Sequence, residues 1–249
     1  MSGHSKWATI KRKKAVTDSK RGRLFTQIIK EITIAARMGG GDVKSNPRLR
    51  LAVDKAKASN MPADNIKRGI QKGTGELPGV SYEDMVYEGY GPGGVALIIE
   101  SVTDNRNRTV SEIRHLLERH GGKLGASNSV SYMFNRKGSI SINKSRYEED
   151  ALMEIALEAG AEDMGTEEET YEITTSADGF IAVREALEAK GITPDSAEIQ
   201  LVPETTVKVG DRDAEQILKL MELLEEHDDV QHVYANFDID DSVLASFNS

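Results

Sequence analysis

The sequence predicts an α+β protein with an N-terminal three-helix domain followed by two ferredoxin-like α/β domains, the last inserted in the second. Two observations lead to this prediction. Over the first 75 residues the apolar side chains recur every three or four positions, as on amphipathic helices, whereas the rest of the chain alternates short apolar strands with helices. Basic side chains are also concentrated at the front, where residues 1–75 carry 18 lysines and arginines against 5 acidic residues, a formal charge of +13.

The acidity of the whole chain hides this basic segment. The remaining 174 residues carry 14 basic and 36 acidic side chains, so their −22 outweighs the +13 and gives the net charge of −9. A segment this basic repels itself when compact, and a polyanionic partner neutralises it most easily. The charge distribution therefore predicts a nucleic-acid-binding module at the front of the chain.

Residues 1–75 are predicted to form a basic helical domain with an N-terminal arm. In the arm, Trp7 either anchors the segment to the domain or stacks on a base. An apolar stripe over residues 19–38 indicates a first helix that ends at three glycines. Asn46-Pro47 has the cap and first-turn residues of a second helix, and Met61-Pro62 begins a third. The last two are compatible with a helix-turn-helix, although no recognition-helix motif supports one.

The acidic remainder begins after a glycine- and proline-bearing hinge at residues 73–82. We expect residues 76–135 plus 204–240 to form one α/β domain and residues 136–203 to be inserted in it. The short joints at each end of the inserted segment favour this arrangement over two consecutive domains. The sheet of the surrounding domain, formed by residues 76–135 and 204–240, would contain residues 95–102, 130–134, 205–209 and 230–237. The other predicted strands are residues 139–142, 161–164, 171–175 and 197–202, and helices are expected from Thr109, from Ser145, over 178–190 and over 213–226.

The composition excludes several classes of protein. No run of 18 apolar residues is present, and the N-terminus lacks an apolar signal segment. The chain contains no cysteine, which rules out disulfides, thiol catalysis and cysteine zinc sites. We therefore expect a cytoplasmic protein that does not associate with membranes.

Catalytic patterns are also missing from the sequence. His115 and His120 are five positions apart and so lack the spacing of a helical metal pair. There is no Gly-x-Ser-x-Gly segment, and the acidic runs do not match a calcium loop. The expectation is a protein that is not an enzyme and needs neither a metal nor another cofactor.

Two loops are candidates for binding an anion. Tyr87-Glu88-Gly89-Tyr90-Gly91-Pro92-Gly93-Gly94 either holds phosphate through its backbone N–H groups or simply makes a tight turn, since it lacks the ending of a nucleotide P-loop. Asp104-Asn105-Arg106-Asn107-Arg108-Thr109 leads into a helix, expected to open with a capping box at Thr109, whose N-terminus favours an anion. The alternative for this second loop is that Asp104 pairs with its own arginines.

The residues predicted to contact nucleic acid are the cations of the arm, the helices and the second loop, together with the tryptophan. They are Lys6, Trp7, Lys11, Arg12, Lys13, Lys14, Lys20, Arg21, Arg23, Arg48, Arg50, Lys67, Arg68, Arg106 and Arg108.

Several motifs, taken in order, resemble the YebC family. They are Gly3-His4-Ser5-Lys6-Trp7, Asn46-Pro47-Arg48-Leu49-Arg50, the two candidate loops and Gly121-Gly122-Lys123-Leu124-Gly125. The resemblance extends from residue 2 to about residue 240. It implies three domains and a non-enzymatic regulator of gene expression in the bacterial cytoplasm, described mainly as a DNA-binding transcriptional regulator.

Three hypotheses about the partner follow. The first is DNA, with control of transcription, and the second is the ribosome or another structured RNA, with activation of translation. The same phosphate chemistry serves both, so the charge alone does not separate them. The third is a small-molecule-sensing module, which an apolar pocket with convergent polar groups would support. The sequence does not fix the oligomeric state.

Overall fold

The computed structural model describes residues 18–167 and 169–239, with side chains described from Arg21 onward except that of Asp211. Helices and antiparallel sheets both occur, which confirms the predicted α+β class. The α-helices of the described residues are α1 (Asp18–Gly39), α2 (Pro47–Ala58), α3 (Ala63–Thr74), α4 (Arg106–Arg119), α5 (Glu149–Glu158), α6 (Phe180–Ala189) and α7 (Asp211–Glu225). The strands are β1 (Glu83–Tyr90), β2 (Ala96–Thr103), β3 (Lys123–Leu124), β4 (Phe134–Asn143), β5 (Asp163–Thr166), β6 (Thr170–Ser176), β7 (Ser196–Pro203), β8 (Val207–Lys208), β9 (Val230–Ala235) and β10 (Phe237–Asp238).

The chain divides into two compact units. One comprises the described residues up to Tyr132 together with those from Thr205 onward, and the other is Met133–Glu204. The finer division into a basic domain, residues 1–75, and two α/β domains with the boundaries given above stays a prediction.

The first three helices share an apolar core, and their ends follow from local chemistry. Asn46 caps α2, since its Oδ1 accepts the N–H of Leu49 at 3.0 Å. The Nδ2 of Asn46 donates to the carbonyl oxygens of Ala35 and Gly40, each at 2.8 Å. One buried side chain thus satisfies backbone groups at the end of α1 and at the start of α2. The predicted first, second and third helices are all present.

Two glycines set how closely α3 packs on α1. A Cβ at Gly73 would lie 2.4 Å from the carbonyl oxygen of Thr33 and 2.7 Å from the Cβ of Ala36. A Cβ at Gly69 would lie 3.0 Å from the Cγ2 of Ile32. These two positions form the inner side of α3 with Ile66, which fixes the opposite side of the helix toward solvent.

The larger sheet of the first unit has the strand order β3-β1-β2-β9, with every neighbouring pair antiparallel. Helices α4 and α7 cover one face and bury an apolar core with it. The prediction of this sheet was wrong at two strands. Residues 131–133 form a 3-10 turn instead of a strand. Among the described strands, β8 pairs with β10 alone, in a parallel two-stranded sheet.

The side chain of Glu88 explains why residues 130–133 do not form a strand of this sheet. Its carboxylate accepts the backbone N–H groups of Asn128, Val130 and Ser131 at 2.7–2.9 Å. Those N–H groups are therefore unavailable to a neighbouring strand. Burial raises the pKa of Glu88, but these backbone hydrogen bonds outweigh it and hold the pKa below its usual value.

The second unit has the split β-α-β-β-α-β order of a ferredoxin-like fold, β4-α5-β5-β6-α6-β7. Its antiparallel sheet has the order β5-β6-β4-β7. The chain enters and leaves this unit side by side, because Phe134 pairs with Pro203 and the N–H of Glu204 donates to the Met133 carbonyl oxygen at 2.9 Å. Helix α5 begins at Glu149 rather than at Ser145, since Asn143 caps a separate 3-10 turn over Lys144–Arg146.

Candidate nucleic-acid interface

Part of the predicted interface lies outside the described residues. This applies to Lys6, Trp7, Lys11, Arg12, Lys13 and Lys14. Lys20 belongs to α1, but its side chain is not described. The contribution of the arm to binding therefore stays a prediction.

The outer side of α3 carries three exposed cations, Lys67, Arg68 and Lys72. Ile66 and Gly69 lie on the inner side of the helix, which packs closely on α1. The three cations occupy the intervening and following positions and therefore lie on the outer side. Within the described part of the chain, none of the three takes part in an ion pair. This outward row is called the α3 cationic face below.

Two other predicted cations lie at the start of α1. The Arg21 guanidinium lies over the ring of Phe25, 5.6 Å from its centroid, and remains exposed. Arg23 is half-buried and lies 3.5 Å from a carboxylate oxygen of Glu226. Arg21 is therefore the more available of the two for an external anion.

Arg48 and Arg50 follow each other on α2 but contact the protein itself. Arg48 donates to both oxygens of Glu31 at 2.7 and 3.0 Å and to both oxygens of Asp84 at 2.8 Å. The hydrogen bonds that Arg48 donates to the Asp84 carboxylate, and then those to Glu31, raise the pKa of Arg48 further above its usual value. Arg50 donates to the carbonyl oxygens of Val43 and Lys44. Arg48 thus ties α2 to α1 and β1.

Arg108 is turned inward, toward the buried carboxylate of Asp229. It donates to Asp229 Oδ2 at 2.7 Å and to Asp104 at 2.8 Å. Lys30 of α1 reaches the other carboxylate oxygen at 2.5 Å, and the Thr109 hydroxyl donates to Oδ2 at 2.7 Å. Lys30 is 7% exposed and Asp229 is 1% exposed. Lys30, Arg108, Thr109 and Asp229 form what is called the Asp229 cluster below.

The Asp229 cluster was missed by the sequence analysis. Burial alone raises the pKa of Asp229, but the hydrogen bonds from Lys30, Arg108 and Thr109 outweigh it and hold the pKa well below its usual value. Lys30 and Asp229 are 199 positions apart. No local pattern links two residues so distant, so only the fold reveals this pair.

The helix α4 begins earlier than its predicted capping box. Asn105 is the N-cap, because its side chain accepts the N–H of Arg108 at 3.1 Å. Thr109 is buried inside the helix, where its hydroxyl also contacts that of Thr103 at 2.8 Å. The capping-box assignment was therefore wrong, since this hydroxyl is used by the buried cluster.

Arg106, two residues before Arg108, points to a different place. It is exposed and lines an open cleft of about 510 Å³ between the start of β1 and the first turn of α4. The lining residues are Glu83, Met85, Tyr87, Asp104, Asn105, Arg106, Asn107 and Val110. The alternative proposed for this loop, in which Asp104 pairs with its own arginines, is realised by Arg108.

The glycine-rich segment at 87–94 is a strand end and a turn. Residues Tyr87–Tyr90 belong to β1, and Pro92–Gly94 form a 3-10 turn. Gly93 has a φ of +69°, a backbone conformation that glycine adopts without strain. Its neighbours line a smaller cleft of about 270 Å³, where the Lys123 ammonium lies 5.5 Å from the centroid of the Tyr90 ring. A phosphate role for this segment stays a prediction.

One group of side chains has the composition of a metal site. Ligand atoms of Glu112, His227 and Asp229 lie within 4.8 Å of one another. The Nε2 of His227 is hydrogen-bonded to Glu112 at 2.8 Å, and its Nδ1 accepts the N–H of Asp229 at 3.1 Å. Because both imidazole nitrogens and the Asp229 carboxylate are already used by the protein, this group is a hydrogen-bonded cluster.

None of the described helices has the length and apolar character needed to cross a membrane.

Comparisons with known proteins identify the family. Residues 5–76 match the family model described as the TACO1/YebC protein N-terminal domain, and residues 82–237 match the TACO1/YebC second and third domain. A relative from Syntrophobacter fumaroxidans, named a probable transcriptional regulatory protein, is 58% identical over 245 residues, covering 98% of each chain. One from Chloroherpeton thalassium, with the same name, is 57% identical over 249 residues and covers 100% of both.

A solved structure is also similar. The crystal structure of a conserved hypothetical protein from Aquifex aeolicus matches with a TM-score of 0.83 and 48% identity, over 90% of this chain and 93% of that one. Together with the two matching domain models, which span most of the sequence, these similarities confirm the resemblance seen in the motifs. The chain belongs to the TACO1/YebC family.

Proposed function

We propose that this protein is a non-enzymatic, nucleic-acid-binding regulator of gene expression that works in the cytoplasm. The observation that carries the proposal is the α3 cationic face, Lys67, Arg68 and Lys72, which is exposed and unpaired within the described residues. Neighbouring cations without a carboxylate partner repel one another, and a phosphate backbone neutralises them. Binding also releases the counterions condensed on the nucleic acid, which adds a favourable, salt-dependent term.

The proposed interface also includes basic side chains at the front of the chain. Arg21 and the arm residues Lys6 to Lys14 add positive charge at the front of the chain. Arg48 and Arg108 have a different role in this proposal, because their guanidinium groups are held by carboxylates of the protein. They position the helices on the sheet and leave the phosphate contacts to the outward side chains.

DNA is the first partner we propose, with transcription as the process regulated. The support is that relatives over the full length of the chain are named probable transcriptional regulatory proteins. A structured RNA is the second candidate, with activation of translation. The observation that favours it is the Arg106 cleft, whose mixed polar and apolar lining suits an unpaired base better than a duplex backbone.

The test compares the full chain with its Lys67→Ala/Arg68→Ala variant. Affinity for a fluorescein-labelled 20-base-pair DNA duplex and a 20-nucleotide RNA is measured by fluorescence anisotropy over a range of salt concentrations. About five phosphate contacts give a slope of log K against log salt near −4.5 on duplex DNA, and the variant lowers its magnitude by about 2. Alanine keeps the helix, so the unfolding midpoint should not fall.

The matched control is Lys190→Ala/Lys208→Ala, which removes two exposed lysines from other elements. It should leave the salt slope unchanged. A wild-type slope near zero, or equal losses in the two double variants, contradicts the proposed interface. Tighter binding of the RNA than of the duplex at every salt concentration reverses the order of the two partners.

A further inference from the structure

The Arg106 cleft combines an apolar floor with a polar rim. The floor is formed by Met85 and Tyr87 of β1 and by Val110 of α4, all of which pack on the core of the first unit. The rim is formed by the end of β2 and the first turn of α4, which contribute Asp104, Asn105, Arg106 and Asn107, and by Glu83 at the start of β1. The strands fix the spacing, because Glu83 pairs with Thr103, the residue before Asp104.

The charges on the rim disfavour a phosphate. The lining contains two carboxylates, Glu83 and Asp104, and one guanidinium, Arg106. Arg108, which does not line the cleft, is shared between Asp104 and Asp229. A phosphate at this position would meet both carboxylates, whereas a neutral ligand that offers donors to the carboxylates and acceptors to Arg106 would satisfy all three groups.

Tyr87 provides an independent sign that a polar ligand is missing. The residue is 8% exposed, and its hydroxyl has no hydrogen-bond partner among the described residues. Burial raises the pKa of this hydroxyl, and the positive charge of Arg106 opposes the shift. Buried polar groups are normally hydrogen-bonded, so this one has capacity left for a ligand.

We propose that this cleft binds an unpaired nucleobase, for which guanine is the best match. The apolar floor supports the face of the base, as aromatic and apolar side chains do in single-strand recognition. A rim carboxylate accepts from the adjacent N–H groups on the Watson–Crick edge of guanine, and Arg106 donates to its O6 and N7 acceptors. The inference rests on the proposed function, and it adds a base-reading site to the phosphate contacts of the α3 cationic face.

The test uses ligands that separate the base from the phosphate. Guanosine, 2′-deoxyguanosine, adenosine, uridine and inorganic phosphate are titrated separately into the full-length protein, and backbone amide shifts are followed by NMR. Guanosine should shift the amides of Met85, Tyr87, Asn107 and Val110, whereas inorganic phosphate at the same concentration should not. Because guanosine carries no phosphate, an absence of guanosine binding would not contradict the proposed salt-dependent binding of nucleic acid by the α3 cationic face.

Variants locate the contact. Arg106→Ala should weaken guanosine binding about tenfold, the effect of losing a two-point contact to the base. Arg114→Ala is the matched control, because Arg114 is an exposed arginine on the same helix that does not line the cleft. Tyr87→Phe should weaken guanosine about fivefold through the lost hydroxyl, yet it should not lower the thermal unfolding midpoint, since that hydroxyl has no partner in the free protein.

The outcomes decide the proposal. Weaker binding of 2′-deoxyguanosine than of guanosine supports the base site and assigns it to RNA, and equal binding supports a base site for either single strand. Absence of guanosine shifts, equal shifts with inorganic phosphate, equal binding of adenosine and uridine, or equal losses in Arg106→Ala and Arg114→Ala would overturn it.

Discussion

The α3 cationic face and the Asp229 cluster use the same kinds of side chain for opposite purposes. Lys67 and Arg68 are exposed and have no carboxylate partner among the described residues, whereas Lys30 and Arg108 converge on one buried carboxylate. The difference shows that a basic segment is not the same as a basic surface. What decides the role of each cation is whether the fold brings a carboxylate to it.

The sharpest way to test this contrast is Asp229→Ala. Removing the carboxylate leaves the buried Lys30 without a charged partner, while Arg108 keeps its hydrogen bond to Asp104. This loss should lower the free energy of unfolding by about 3–5 kcal/mol. Chemical denaturation followed by circular dichroism measures the change. Asp104→Ala is the control, because Asp104 is an exposed partner of Arg108 and should cost less than about 1 kcal/mol. Equal losses of stability in the two variants would show that the burial of Asp229 does not increase the contribution of its ion pairs to stability.

The pH dependence of the Asp229 cluster sharpens the same comparison. The pKa of Asp229 lies below its usual value in the folded protein, so its contribution to stability is complete above the unfolded pKa of about 4 and declines as the pH falls below that. The stability gap between the wild type and Asp229→Ala should stay constant from neutral pH to about pH 5 and narrow below about pH 4. Denaturation curves collected across this range provide the check, and a gap that narrows near neutral pH would contradict the low pKa.

Gly73→Ala tests what holds the α3 cationic face in place. The new methyl group would meet the Thr33 carbonyl oxygen at 2.4 Å, so α3 must move away from α1, at a cost of about 1–3 kcal/mol. Gly22→Ala in α1 is the control, since nothing lies within 4 Å of its added Cβ. It should stabilise the helix by about 0.5–1 kcal/mol. Thermal unfolding of both variants measures the difference, and a neutral Gly73→Ala would mean that the two helices are not fixed at this distance.

Arg48→Ala should have a small effect on stability and a distinctive effect on binding. Its guanidinium contacts Glu31 and Asp84 but is 37% exposed, so the loss should be about 1 kcal/mol. Because we assign it no phosphate contact, the salt slope for nucleic acid should match that of the wild type, in contrast to Lys67→Ala/Arg68→Ala. A slope reduced by about 1 would place Arg48 in the interface after all.

The boundaries of the first helices are predictable because their determinants are local. The Asn46-Pro47 pair specifies a helix start through one side chain and the next backbone N–H groups, and the structure uses it in that way. The strand β1 was missed because its buried positions, Tyr87, Glu88 and Gly89, are consecutive and include a carboxylate and a glycine, which is not an alternating apolar pattern. The burial of Glu88 depends on N–H groups 40 to 43 positions later in the chain.

The candidate site shows the same limit. Sequence reasoning selected Arg106 and Arg108 together, since both are arginines before a helix. Their roles diverge because residues two apart on a helix face different directions, one toward the cleft and the other toward Asp229, 121 positions away. The outward side of α3 was predictable, because its apolar and small residues recur with the helical period and leave Lys67 and Arg68 on the other side.

The paired ends of the Met133–Glu204 unit have a consequence for how this chain can be engineered. Since the entering and departing segments are already hydrogen-bonded to each other, a short turn joining Asn135 to Val202 would close the gap left by excising the residues between them, because β4 and β7 hold these two opposite each other. The shortened polypeptide would keep every residue of the α3 cationic face, the Arg106 cleft and the Asp229 cluster. Binding by that truncated protein would reveal whether the excised unit serves recognition of the nucleic acid or some separate task.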